Sequence, residues 1–302
     1  MTTFRPVERV GVVGVGNMGG RISRRIAAAG HPIVGYDRDA GQVEAAGIPA
    51  AASLAVLVGE TDVVLFSLPD SSVVELAVRG EAGVLASCRA GQVVVDLSTA
   101  SPGSTVELHA ELLARGVDLI DAGISGGAAA AEKGTLTIMA GGSEAALDRV
   151  RPLLETFSSR IYHMGASGAG HTAKLLNNFL NGVNLAAAAE VMVAGRKAGL
   201  DLELLLDVIN NSSGANWSTA NRFPHVVRGD YLEGGLTGNL MLKDLPLYAD
   251  LAASLGAPSL NSAGPIATFG LAAGLGYGDQ ISNRVVDALG DIAGGVRIHG
   301  EE

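Results

Sequence analysis

Residues 10–37 constrain this chain more than any other stretch. An apolar run at 10–15 leads into Gly14-Val15-Gly16-Asn17-Met18-Gly19, then a helix-like segment at 21–29 that Gly30 stops. A second apolar run, 32–36, ends at Asp37. Strand, glycine turn, helix, strand and acid in that order form the dinucleotide fingerprint in its required context. Each part has a physical reason. Gly14 makes the tight turn, Gly16 lets the backbone approach a pyrophosphate, and Gly19 lets the helix pack on the strand. Asn17 and Met18 open a helix whose N-terminal amides and dipole favour phosphate. The Asp37 carboxylate is placed to accept hydrogen bonds from a ribose diol.

Strands and helices continue to alternate as far as about residue 163. Residues 62–67 and 92–97 are continuous apolar runs, the pattern of parallel strands covered on both faces. Asp70 is placed to cap a helix through Val78, Ser101-Pro102 starts another, and Ser143 opens one that runs to Phe157. Residues 117–121 and 136–140 read as further strands. From Ala169 onward helical patterns dominate. The expected architecture is α/β: a doubly wound, Rossmann-type sheet in 1–165, then an all-α domain in 166–302 built around a long helix. Ligands of open α/β sheets sit beyond the carboxyl ends of the strands. That points to three loops: Ser67-Leu68-Pro69, Ser98-Thr99, and Gly123-Ile124-Ser125-Gly126-Gly127. In the last, Ser125 offers a hydroxyl and the glycines can present amides to a small anion, a nest-like arrangement. The same residues also read as an ordinary strand-to-helix loop.

The second informative stretch is 165–178, where a glycine-rich turn runs into a long apolar helix. Lys174, Asn177, Asn178 and Asn181 fall on one face at i, i+3, i+4 and i+7. Leu175, Leu176, Phe179, Leu180 and Val183 beside them predict a mostly buried helix. A buried lysine among carboxamides is costly unless it is paired or used, and burial draws an amine's pKa toward neutrality, which suits a proton carrier. The same stripe also reads as a polar face on a water-filled cleft. His171 lies close to that face, but a first-turn histidine is expected simply to face the cleft or solvent. The other histidines show no paired spacing with Asp, Glu or Cys, so no metal site is expected.

Composition excludes several classes. The formal net charge of −10, without a Lys/Arg run, argues against a nucleic-acid partner. The single cysteine, Cys88, cannot form an internal disulfide, which suits a reducing, cytoplasmic setting. Residues 1–6 lack the apolar core of a signal peptide. The apolar stretch at 175–194 carries Asn177, Asn178, Asn181, Asn184 and Glu190, too polar to span a bilayer.

Together these motifs resemble the β-hydroxyacid dehydrogenase family, and in particular its 3-hydroxyisobutyrate dehydrogenase branch. The resemblance rests on Gly14-x-Gly16-x-Met18-Gly19, Asp96-Leu97-Ser98-Thr99 with Pro102, and Asp121-Ala122-Gly123-Ile124-Ser125-Gly126-Gly127 with Gly134-Thr135-Leu136. It continues with Gly168-x-Gly170-x-x-x-Lys174-x-x-Asn177-Asn178 and Lys243-Asp244-Leu245. It implies that Lys174 is the catalytic residue and that Ser125, Gly126, Gly127 and Asn178 hold substrate. It also implies a cofactor site of Gly14, Gly16, Asn17, Met18, Gly19, Asp37, Arg38, Leu68, Pro69, Thr99 and Lys243. The expected activity is NAD(P)-dependent hydride transfer between a 3-hydroxy carboxylic acid and its semialdehyde or keto form. Tartronate and succinic semialdehydes and β-hydroxy amino acids are alternative substrates. A homodimer or homotetramer is expected. Two departures stand out: many members have Pro where Gly123 stands, expected to loosen the loop, and a small polar residue where His171 stands. The 6-phosphogluconate dehydrogenase branch normally has a histidine soon after the lysine, and imine reductases of this fold replace the lysine; both are disfavoured. A non-catalytic dinucleotide-binding protein would not need Lys174, Ser125 and Asn178 together. On cofactor choice, Asp37 favours NAD, while Arg38 and Arg21 could draw the 2′-phosphate of NADP.

Overall fold

The computed structural model describes residues 8–300; residues 1–6, read above for a signal segment, lie outside them. The chain divides into two compact units, one ending at Lys174 and one beginning at Leu175. Among the described residues no helix is long and apolar enough to cross a membrane.

The first unit begins with β1 (Val10–Val13), α1 (Asn17–Ala28), β2 (Ile33–Tyr36), α2 (Ala40–Ala46), α3 (Leu54–Glu60), β3 (Val63–Phe66) and α4 (Ser71–Arg79). It continues with α5 (Val84–Ser87), β4 (Val93–Asp96), α6 (Pro102–Leu113), β5 (Asp118–Ser125) and α7 (Gly127–Lys133). Then follow β6 (Leu136–Gly141), α8 (Glu144–Leu154), β7 (Ser158–Gly165) and the start of α9 (Ala169–Lys197). The seven strands form one sheet in the order β2-β1-β3-β4-β5-β6-β7. Pairing is parallel throughout except between β5 and β6. Alternate residues of each strand enter different cores. Val10, Val12, Val63, Leu65, Val93 and Val95 belong to one cluster, and Val13, Val64, Phe66 and Val94 to the other. Strands covered on both faces must be apolar at every position, hence the continuous runs in the sequence. Each buried valine or leucine contributes roughly 1.5–3 kcal/mol. Helix starts follow local chemistry: the side chains of Asp70 and Ser143 accept the Val73 and Ala146 N–H at 3.0 and 3.2 Å.

One expectation is corrected here. Residues 123–125 are not loop but the end of β5, paired with β6 as Gly123↔Met139, Ile124↔Ile138 and Ser125↔Thr137. The reason is antiparallel β6: β4 pairs β5 only as far as Asp121, and β6 carries the ladder onward from there.

The second unit takes in the rest of α9, then α10 (Leu202–Asn210), α11 (Trp217–Asn221), α12 (Phe223–Val226), α13 (Gly238–Ser254), α14 (Ala263–Ala272) and α15 (Val285–Ile292). Its core gathers Leu185, Met192, Phe223, Met241, Leu245 and Phe269 around α9. Phe179 stacks on Tyr248 of α13 with ring centroids 3.7 Å apart. The expected burial of α9 is incomplete, because Leu176 and Leu180 are exposed while Leu175 and Phe179 pack inward.

Candidate active site

The β1–α1 turn has the geometry of a phosphate cradle. Gly14 has φ +85°, where a side chain is strained, and a methyl there would also strike the Ser67 carbonyl oxygen. A methyl on Gly19 would run into the Gly14 carbonyl oxygen, so helix and turn meet only because both positions are glycine. Gly16 differs: a methyl there would meet nothing within 4 Å. Gly16 is also the N-cap of α1, offers no side-chain cap, and is followed by a first turn without acidic residues. A helix start with no side-chain cap and no acid in its first turn suits an anion. These residues fit a dinucleotide pyrophosphate. Asn17 also accepts from the Arg21 guanidinium, through its carbonyl at 2.7 Å and through its side-chain oxygen.

Asp37 is already engaged. Its Oδ2 accepts the Val15 N–H at 2.8 Å and its Oδ1 the Asp39 N–H at 3.0 Å. The carboxylate thus ties the glycine turn to β2, and each oxygen keeps a lone pair for a ribose hydroxyl. Arg38 beside it is exposed. At the ends of β3 and β4, the Leu68 N–H donates to Ser98 Oγ at 3.0 Å, and the Ser98 N–H to Asp96 Oδ1 at 2.9 Å. Pro69 is exposed and Thr99 part-buried on the same two loops.

Lys174 is 9% exposed. Its stem lies directly over β5, and a methyl on Gly123 would fall 2.6 Å from Lys174 Cβ and 2.9 Å from Cγ. The glycine expected to loosen this segment instead lets the lysine sit down on a paired strand, two residues before Ser125. Beyond it, Gly126 (φ +126°) and Gly127 (φ +70°) turn the backbone into α7 in conformations that favour glycine.

The start of α9 is held by groups that sequence reasoning left without a role. Asp121, fully buried on β5, accepts the Gly168 N–H at 2.8 Å and the His171 N–H at 2.9 Å. It caps the helix from a distant strand and complements the positive end of the dipole. Gly170 permits the contact, since a methyl there would strike the carbonyl oxygens of Asp121 and Met139. His171 does not face a cleft or solvent but is fully buried. Its Nε2 lies 3.3 Å from the Asp96 carbonyl oxygen and its Nδ1 2.8 Å from Thr105 Oγ1. A carbonyl only accepts, so Nε2 carries a proton, and Nδ1 pairs with the Thr105 hydroxyl, which itself donates to the Ser101 carbonyl oxygen at 3.0 Å. The ring fastens α9 to β4 and α6.

In the second unit Asn178 is buried at 3% exposure, whereas Asn177 is exposed. Asn178 Nδ2 donates to Asp244 Oδ2 at 2.6 Å, and its Oδ1 accepts from Asn177 Nδ2 at 3.2 Å. A carboxylate cannot donate, so this partner fixes which way the amide points. Lys243 Nζ lies 3.1 Å from Asp244 Oδ1, making Asp244 a shared anchor for two of the predicted site residues. The third carboxamide, Asn181, accepts from Arg222 Nη2 at 3.0 Å. Arg222 also donates to Asn283 Oδ1 at 2.7 Å and Ser282 Oγ at 3.3 Å. Burial presses its guanidinium pKa down to about 10.

A nucleotide-binding sheet with a buried lysine above the strand next to a serine–glycine turn defines a nicotinamide-dependent oxidoreductase, and the comparisons agree. Residues 9–165 match the model of the NAD binding domain of 6-phosphogluconate dehydrogenase. Residues 168–286 match that of the NAD-binding region of NADP-dependent 3-hydroxyisobutyrate dehydrogenase. The chain is 35% identical to 2-(hydroxymethyl)glutarate dehydrogenase of Eubacterium barkeri, over 90% of this chain and 92% of that protein. It is 37% identical to NAD-dependent L-serine dehydrogenase of Pseudomonas aeruginosa, over 82% and 86%. The structure of Mycobacterium tuberculosis 3-hydroxyisobutyrate dehydrogenase with L-serine superposes with a TM-score of 0.84 at 33% identity, covering 94% of this chain and 99% of that one. The chain belongs to the β-hydroxyacid dehydrogenase family, in its 3-hydroxyisobutyrate dehydrogenase-like branch. It is an NAD(P)-dependent oxidoreductase of 3-hydroxy acids.

Proposed function

We propose that the protein interconverts a 3-hydroxyisobutyrate-like acid and its semialdehyde or keto form, with Lys174 as the proton carrier. The observation that carries this reading is the seat of Lys174, a buried amine whose stem lies on β5 beside Gly123. When bound, the nicotinamide supplies the hydride acceptor or donor. In oxidation Lys174, as free amine, takes the hydroxyl proton; in reduction, as ammonium, it polarises the carbonyl and returns the proton. Ser125 and the amides of Gly126 and Gly127 hold the substrate carboxylate. Asn178, oriented by Asp244, offers its remaining N–H to the substrate. Asp121 and His171 hold the start of α9, and thereby Lys174, against the sheet. Such positioning supplies much of the acceleration that proton transfer alone does not.

NAD is the expected cofactor, because a carboxylate at Asp37 accepts from a ribose diol and repels a 2′-phosphate. Arg38 supports tolerance of NADP, and Lys243 with Thr99 completes the proposed cofactor set. Exposed apolar side chains on α9 (Leu176, Leu180, Val191) and α10 (Leu204, Val208) support association with a second copy. Lone Cys88 suits the cytoplasm. The test is a turnover screen of 3-hydroxyisobutyrate, L-serine, L-threonate and 2-(hydroxymethyl)glutarate, with tartronate and succinic semialdehydes in reverse, using both cofactors. Turnover of at least one acid supports the reading; confirmed cofactor binding without any turnover contradicts it.

A further inference from the structure

Two chains of hydrogen bonds leave the buried ring of His171 in different directions. On one side Nε2 donates to the Asp96 carbonyl oxygen at 3.3 Å, with the Asp96 carboxylate 3.9 Å away. Asp96 Oδ1 accepts the Ser98 N–H at 2.9 Å, and Ser98 Oγ accepts the Leu68 N–H at 3.0 Å. On the other side Nδ1 pairs with the Thr105 hydroxyl at 2.8 Å, and Thr105 bonds the Ser101 carbonyl at 3.0 Å. The Ser101 N–H in turn donates to Ser71 Oγ at 2.8 Å. Both chains therefore end on one short segment between β3 and α4, at Leu68 and at Ser71. On the way they grip Ser98 and Ser101, which flank Thr99. Every one of these residues belongs to the first unit.

These two loops follow the carboxyl ends of β3 and β4, where an open α/β sheet takes its ligand. The first also abuts the glycine turn: a methyl on Gly14 would strike the Ser67 carbonyl oxygen and lie 3.0 Å from Leu68 Cδ2. His171, Asp96, Ser98 and Thr105 are at most 4% exposed. Water does not replace a bond lost among them, and each group left unpaired is costly. A histidine that only fastened α9 to the sheet would need its own two bonds. It would not need them continued, link by link, into both proposed cofactor loops. Building on the function proposed above, we infer that His171 is a positioning residue for the cofactor as well as for Lys174. Fully buried, it touches no ligand; it acts by setting the backbone at 68–71 and 98–101. Cofactor affinity and the seat of the proton carrier then depend on one ring.

The test is the Kd for NADH, read by fluorescence titration of the folded enzyme. His171→Leu should weaken NADH at least ~5-fold, the lower end of a typical coupling between sites. Asp121→Ala, which frees the same helix start without removing a link of either chain, should keep a Kd close to wild type. With the best acid from the screen, kcat should fall in His171→Leu together with affinity, whereas Lys174→Ala loses kcat alone. Hydrogen exchange adds a readout that general destabilisation does not give. In cofactor-free His171→Leu the Leu68 and Ser101 amides should exchange faster, while that of Ala146, capped by Ser143, keeps its protection. Thr105→Val removes one hydroxyl and little volume; it should show the same pattern with Kd raised about twofold or more. It decides the matter if His171→Leu does not fold. An unchanged Kd in the folded variants overturns the inference, as does equal weakening in Asp121→Ala. Exchange at Leu68 and Ser101 that rises no more than at Ala146 overturns it too. The NADH and exchange measurements need no turnover. If no hydroxy acid is turned over, the dehydrogenase reading fails on its own, and the role of His171 in the cofactor loops is still judged.

Discussion

The starts of α1 and α9 meet the same requirement in opposite ways. Both helices begin with amides that have no partner within the helix itself. At α1 the cap is Gly16, with no side-chain bond, no acid in the first turn and open space where a side chain would be. At α9 the amides of Gly168 and His171 are taken by buried Asp121, and His171 itself is bolted to Thr105 and the Asp96 carbonyl. In the proposed function one helix start serves a ligand's charge, whereas the other is closed by the protein's own Asp121. The difference follows from use. A cofactor must come and go, whereas a proton carrier, the role proposed for Lys174, must stay at one place above β5.

If that contrast is correct, the largest effect belongs to what the closed helix carries. Lys174→Ala should lower kcat by ~10²–10⁴-fold. Its Kd for NADH, read by fluorescence titration, should stay near the wild-type value. Next, Asp121→Ala should lose about 3 kcal/mol of stability, because two buried amides go unpaired. Denaturant unfolding reads that loss, and kcat should fall more than KM rises; Asp121→Asn should recover part of both. Unchanged kcat in a folded Asp121→Ala enzyme would mean the cap does not position the lysine.

The glycines of the open helix start sharpen the comparison further. Gly19→Ala should cost about 2 kcal/mol through overpacking against the Gly14 carbonyl. Gly16→Ala should leave the melting temperature nearly unchanged and weaken NADH roughly tenfold, or ~1.4 kcal/mol. If both glycines behave alike, the turn is a packing device and not a cradle. The smallest expected effect is at Asp37→Asn, a shift of the NAD/NADP ratio of kcat/KM toward NADP by about tenfold at most. Because Asp37 also accepts the Val15 N–H, affinity for both cofactors should fall somewhat.

Legibility in the sequence follows the same division. The open start was readable because its strand, glycines, helix and acid are contiguous and each residue type has a local reason. The caps at Asp70 and Ser143 were readable likewise. Lys174 stood out by helix spacing, but its seat did not, because Gly123-Ile124-Ser125-Gly126 looks like a loop until β6 is known to pair with it. Asp121 reaches Gly168 across 47 residues, and Arg222 reaches Asn181 across 41 and Asn283 across 61. No local period reports such contacts. His171 was misread for the same reason, since an N-terminal helix position says nothing about a roof made of β4 and α6. The exposed Leu176 and Leu180 show the converse: apolar residues alone do not say which face of α9 is covered.

The central claim, that Lys174 moves a proton and does not merely fill space, is tested most directly by restoring the amine from solution. Lys174→Ala should be assayed with the best acid from the screen, with and without ethylamine, and with tetramethylammonium as a cation that has no proton to exchange. The account predicts saturable recovery of turnover with ethylamine, at least ~10-fold above the unaided variant and rising with the free-amine fraction in the oxidation direction. Tetramethylammonium should restore nothing. Wild-type-like turnover of Lys174→Ala without any amine, or equal rescue by both cations, would contradict it.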